Sequence, residues 1–197
     1  MSLWLAPAPL EVNIGDRRYP IQTDFRISIR AEQLILSDTP EPDRTLQLLH
    51  LYYGRVPADI ETACEQMLWF YTCGSAVKAC RKSGGTAGGG RVMDYEADAG
   101  YIYAAFMQQY HIDLATAHLH WWHFRALLDG LSEDTTFMRI VGYRSMDVSK
   151  IKDKQQRKYY TDMQKLYALP TPRGEQDKLD AITQALLNGG DVQGMLG

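Results

Sequence analysis

The 197-residue sequence predicts a mainly α fold, a multi-helix globular domain with one short N-terminal β-hairpin. Apolar residues recur at helical spacing through most of the chain, and alternating apolar runs occur only near residues 10–21. The helical stretches are separated by brief turns, and at 45% apolar residues there is material for one ordinary core, so 1–197 is expected to fold as a single domain.

The hairpin comes first. In "LEVNIGDRRYPI", residues 10–21, two short alternating runs flank Gly15 and Asp16, a dipeptide suited to positive φ. An N-terminal helical part, 23–74, follows. Thr23 is placed to cap its first helix, Asp24 lies in the first turn, and Phe25, Ile29 and Gln33 stack beside Leu34, with an end near Ser37. Beyond the proline-punctuated "DTPEPD", "RTLQLLHLYYG" reads as a helix stopped by Gly54. Pro57 is placed to open the next helix, "PADIETACEQMLWFYTCG", whose apolar stripe is Ile60, Cys64, Met67, Leu68 and Tyr71.

The stretch "RKSGGTAGGGR" is the one low-complexity segment, and a flexible glycine-rich loop is expected over 82–91. No lysine follows its glycines and no strand precedes them, though a phosphate-cradling loop requires both. The C-terminal helical part, 94–168, is expected to hold helices at 94–110, 114–129, 133–143 and 147–168. The tail, 170–197, is expected to hold one more at 175–188.

Charge and composition exclude several function classes. With 21 Lys and Arg against 24 Asp and Glu the formal charge is −3, which favours neither general nucleic-acid binding nor a polybasic membrane surface. Cys64, Cys73 and Cys80 are odd in number and match no zinc spacing, so reduced thiols are expected. The start "MSLWLAPAPLEV" has no basic leader, and no run of about 18 apolar residues occurs, so the expectation is a soluble, unexported protein.

Three features could carry chemistry. Asp94, Glu96 and Asp98 crowd one predicted helix start, where carboxylates could bind metal or move protons but also satisfy unpaired N–H groups and the helix dipole; the second reading is preferred. Helix 147–168 places Val148, Ile151, Tyr159, Met163 and Leu166 on one stripe and Lys150, Lys152, Lys154, Arg157, Lys158 and Lys165 elsewhere. Asp147, Asp153 and Asp162 interrupt that basic face, so a solvated surface ranks first, an acidic protein partner second and nucleic acid third.

The third feature is "HLHWWHF", residues 118–124. If 114–129 is one helix turning about 100° per residue, Trp121 and Trp122 fall on two roughly opposite apolar faces. His118 then shares one polar seam with Arg125 and Asp129, while His120 and His123 share the other with Thr116. The three histidines cannot converge on one ion, and His120 with His123 remains half a metal site that needs a carboxylate from elsewhere. A nucleophile elbow is also missing, so neither a metal site nor a cofactor is assigned and the protein is expected not to be an enzyme.

The runs "DYEADAGYIYAAFMQQYHIDL", "LHWWHFRALLDGL", "IVGYRSMDVSKIKDK" and "YYTDMQKLYALP" resemble the bacteriophage "Gp fifteen" family, encoded in the tail-gene clusters of long-tailed phages and prophages. The resemblance is detailed over 93–170 and looser at "YPIQTDFR" and "LWFYTCG". It implies a tail assembly chaperone in the host bacterial cytoplasm, binding the tape-measure protein and perhaps tail-tube subunits, with no catalytic residue to carry over. A structural tail component of the virion is the alternative, and a metal-dependent enzyme using His120 and His123 the remoter one.

Overall fold

The computed structural model describes residues 7–75 and 91–170. The fold is mainly α, with a two-stranded antiparallel sheet at its N-terminal end. Strand β1, Glu11–Ile14, pairs with β2, Arg17–Pro20, in the register Glu11 to Pro20 and Ile14 to Arg17. Gly15 holds a φ of 58° in the intervening turn, a conformation nearly free of cost only for glycine. Val12 and Ile14 point into the core while Glu11 and Asn13 stay in water, the period of two expected of a half-buried strand.

Seven α-helices follow among the described residues: α1 (Phe25–Ile35), α2 (Asp43–Tyr53), α3 (Ile60–Tyr71), α4 (Ala99–Tyr110), α5 (Trp121–Asp129), α6 (Thr136–Ser145) and α7 (Lys154–Leu166). A short 3-10 turn, Val148–Lys150, precedes the last. Helix α1 packs on α2 and α5, α3 on α2 and β1, and α6 on α4 and α7. The core centres on aromatic rings: Phe124 stacks on Phe25 at 4.6 Å, on Phe106 at 5.3 Å and on Trp121 at 5.9 Å between ring centroids. Such rings supply large apolar burial and a further ~0.5–1.5 kcal/mol per well-placed pair.

Polar groups caught in this core are paired. The Tyr52 hydroxyl bonds the fully buried Ser28 hydroxyl at 2.9 Å, and the Tyr53 hydroxyl donates to the Ala63 carbonyl at 2.9 Å, tying α2 to α1 and α3. Burial drives both tyrosine pKa values well above the ordinary range. Asp98, wholly buried, accepts two hydrogen bonds from the Arg144 guanidinium at 2.7 and 2.9 Å and another from the Asp94 N–H at 3.0 Å. Arg144 also donates to the carbonyls of Val92 and Tyr167, so one side chain fastens α6 to the turn before α4 and to the end of α7.

Several expected boundaries move, each for a local reason. Asp24, not Thr23, caps α1, accepting the Arg26 N–H at 2.9 Å. Helix α3 starts at Ile60 rather than Pro57, because the Asp59 carboxylate caps it by accepting the Thr62 N–H at 3.1 Å. Its buried stripe is Ala63 and Phe70, with Cys64 and Met67 half-buried and Ile60 and Leu68 left exposed. The helix expected over 94–110 begins at Ala99, after a turn closed by Asp94, and that expected over 133–143 lies at Thr136–Ser145 behind a Thr135 cap.

The 147–168 stretch breaks at Asp153, which caps α7, and the packed face becomes Tyr160, Met163, Gln164 and Tyr167. The expected stripe through Tyr159 and Leu166 is therefore displaced by one residue, and both are exposed. Cys80, most of the 82–91 glycine segment and the 175–188 helix lie outside the described residues.

Candidate functional site

The "HLHWWHF" stretch is not the middle of a helix. Residues 113–117 form a turn closed by Asp113, whose carboxylate accepts the Ala115 N–H at 2.9 Å, and the chain then extends through 118–120. There it pairs with the approach to α1: Phe25 donates its N–H to the Leu119 carbonyl at 3.0 Å, and Trp121 donates to the Thr23 carbonyl at 2.7 Å. The starts of α1 and α5 are thereby sewn backbone to backbone. This long-range pairing overrides the helical period that made 114–129 look continuous.

His120 is the N-cap of α5. Its Nδ1 accepts the Trp122 N–H at 3.0 Å and its Nε2 lies 3.0 Å from the Pro9 carbonyl. Accepting at one nitrogen and donating at the other fixes the neutral Nε2–H tautomer and leaves neither nitrogen for a metal. Burial lowers the His120 pKa, the Pro9 carbonyl opposes that effect, and the neighbouring His123 ring, 5.4 Å away, adds to it. His123 is exposed, and His118, 91% exposed at its side chain, lies 3.6 Å from Asp24 rather than beside Arg125 and Asp129. The half site expected of His120 and His123 therefore meets a backbone carbonyl rather than a carboxylate. Among the described residues no group of three or more His, Cys, Asp or Glu could hold an ion.

The tryptophans do not face opposite layers either. Both reach the C-terminal end of α3, where carbonyls lack helical partners. The Trp122 indole N–H donates to the Phe70 carbonyl and the Trp121 indole to the next carbonyl, Tyr71, each at 2.8 Å. Gly74 just beyond holds a φ of 73°, and a Cβ there would lie 3.3 Å from the Trp122 ring. Trp121, Trp122 and His120 thus anchor α5 to α3 and to the segment before β1.

The acids separate into two roles. Asp94 accepts the N–H groups of Glu96 and Ala97 and pairs with Arg91 at 2.9 Å, while Asp98 holds Arg144. Glu96 turns outward to Gln33. No two of these carboxylates are left facing an open space as an acid and base pair.

One open hollow beside α5 is apolar. A cleft of about 240 Å³ lies between α1, α4, α5 and the 113–117 turn, lined chiefly by Phe25, Ile29, Ile102, Tyr103, Leu114 and Phe124. Arg26 closes one end, bonded to the carbonyls of Leu114 and Ala115 at 2.7 and 3.1 Å and paired with Asp24 at 3.1 Å. Helix α4, "AGYIYAAFMQQY", carries no charged residue. It buries Ile102, Ala105 and Phe106 and turns Tyr103, Ala104 and Met107 outward, Tyr103 at the cleft itself. Tyr103 also lies against Asp113, which raises the tyrosine pKa through a hydrogen bond. An uncharged, partly aromatic helix face next to an apolar hollow is suited to holding apolar side chains, not to moving protons. The charge-free run was visible in the sequence, but its outward side follows only from Phe106 stacking on Phe124 and Ile102 lining the cleft.

No helix among the described residues is long and apolar enough to cross a membrane. No curated protein and no solved structure matches the chain. One family does: the model described as "Bacteriophage Gp15 protein" matches residues 7–169, which includes both paired helix starts, the α4 cleft and α7. The match spans most of the sequence, and the chain belongs to the bacteriophage Gp15 family.

Proposed function

We propose that the protein is a non-enzymatic phage tail assembly factor, a chaperone that covers apolar helical segments of the tape-measure protein while the tail tube is built. Membership in a phage family supports a structural or assembly role. The observation that carries the finer reading is the uncharged α4, whose outward Tyr103 lines the cleft with Phe25, Ile29, Leu114 and Phe124 and whose Ala104 and Met107 are exposed on the same helix. An amphipathic helix lying along α4 would place one large apolar side chain in the cleft and others against Tyr103 and Met107. Met and Tyr suit a surface that must accept several related stripes, since one is pliable and the other offers a broad ring with a polar tip.

Co-expression with a tape-measure fragment tests this. The fragment is expected to become soluble and co-elute, and Tyr103→Glu with Met107→Glu is expected to abolish co-elution while the fold stays intact. A fragment that stays insoluble beside the wild-type protein overturns the reading. Mass spectrometry of purified particles separates a chaperone, absent from the mature virion, from a tail component, present in it.

A further inference from the structure

The cations of this protein divide by type. Every lysine among the described residues falls between Lys150 and Lys165, and every cation elsewhere is arginine. The arginines are largely used as ties: Arg26, Arg44, Arg91, Arg125 and Arg144 each pair with a carboxylate. Lys152, Lys154, Lys158 and Lys165 have no ion pair among the described residues.

On a helix turning about 100° per residue, Lys154, Lys158 and Lys165 fall within about 40° of one another, opposite the packed side of α7. They form a straight row about 16 Å long, flanked by Leu166 at 66% exposure and Tyr159 at 49%. The row is held rigidly from behind. Gln164 donates to the carbonyls of Tyr143 and Met146, and Tyr143 packs against Tyr159, Tyr160 and Tyr167.

The complement of this strip is present in the same chain. Residues 7–75 contain no lysine, and on α3 Glu61, Glu65 and Leu68 lie within about 60° of one another on the outward side, with exposed Ile60 at the helix start. Exposed Asp59 caps the same helix, and exposed Glu41 lies near its Cys64. The two strips therefore carry mainly opposite charges beside exposed apolar side chains, with Asp162, about 40° around from Lys158, the one acid on the α7 side. Helices α3 and α7 are not a packed pair within the molecule.

We propose that α7 of one copy docks on α3 of a second copy, the lysine row against Glu61 and Glu65 and the apolar flanks, Tyr159 and Leu166 with Ile60 and Leu68, against each other. Two different patches meet, so the contact is heterologous and a pair of copies keeps one free α3 and one free α7, on opposite members, for further copies. Exposed ion pairs alone add little affinity, so the charges set register and partner choice while the apolar flanks hold the contact.

Sedimentation velocity on the full chain tests the proposal. At low salt the sedimentation coefficient is expected to rise with concentration. In about 1 M salt, where the screening length falls to ~3 Å, that rise is expected to disappear. Lys154→Glu with Lys158→Glu, and separately Glu61→Lys with Glu65→Lys, are each expected to sediment as monomers at low salt, and an equimolar mixture of the two variants is expected to associate again. Circular dichroism confirms that each variant is folded. A wild-type protein that stays monomeric at every concentration overturns the proposal, and so do charge-reversed variants that associate as the wild type does.

Discussion

Helices α5 and α7 show how differently two segments of one chain can be employed. Four of the nine residues of α5 are buried, its N-cap reaches the segment before β1, and two of its side chains close the end of α3. None of the thirteen residues of α7 is buried, and its hold on the body is two carbonyls bonded by Gln164, one bonded by Arg144 and a stack of tyrosines. A segment whose cap and indole donors are committed inward stabilises the fold. A segment that keeps its lysines in water and its shape fixed from behind presents a surface.

The largest effect that would sharpen this contrast lies in α5. Trp122→Ala removes a ring that is 4% exposed and leaves the Phe70 carbonyl without its indole donor, so a loss of about 3–5 kcal/mol is expected in urea unfolding. Asp98→Ala comes next, because it leaves the Arg144 guanidinium in the interior without its carboxylate. About 3 kcal/mol is expected, with loosening of α7 visible as faster amide exchange, since the same guanidinium holds the Tyr167 carbonyl. Gly74→Ala is smaller, about 1–2 kcal/mol by thermal unfolding, from the left-handed backbone and the 3.3 Å approach to Trp122.

His120 makes the same contrast pH-dependent. Its pKa in the fold lies below the ordinary histidine value because burial disfavours the charged ring, so the unfolded chain binds the proton first as pH falls. The stability it contributes is full above about pH 6.5, the unfolded value, and is lost as pH drops through the lowered folded value. His120→Asn keeps an acceptor for the Trp122 N–H but cannot titrate, so the fall in melting temperature between neutral and mildly acidic pH is expected to flatten. A slope unchanged by the substitution would remove His120 from that account. The smallest stability effect belongs to α7: Lys154→Glu with Lys158→Glu is expected to change unfolding by less than about 0.5 kcal/mol.

The sequence was readable where the structure is decided locally. Gly15 and Asp16 announce the hairpin, Gly54 with its φ of 68° stops α2, and the fold class follows from the periodicity. It misled where distant segments meet. Nothing near Leu119 signals that residues 118–120 extend to pair with 23–25, because the apolar period continues across them and the partner strand is far away in sequence. The wheel built on a continuous 114–129 helix therefore placed the tryptophans on opposite faces, whereas they cap two adjacent carbonyls. His120 could have been noticed as an N-cap, but histidine is not among the residues usually expected there. In the same way, the break at Asp153 rotated the packed side of α7 by one residue and left Tyr159 and Leu166 in water. The apolar cleft was beyond reading, since α1 closes it against α4, the turn at Asp113 and α5, which lie more than sixty residues further along the chain.

The central claim is that the outward face of α4, with its cleft, receives an apolar helical partner. Amide hydrogen exchange of the protein with and without a soluble tape-measure segment tests it most directly. The account predicts added protection over 25–29 and 99–115, with α3 left at its own rate. Protection absent from α4 and the 113–117 turn in a complex that nevertheless forms would contradict it.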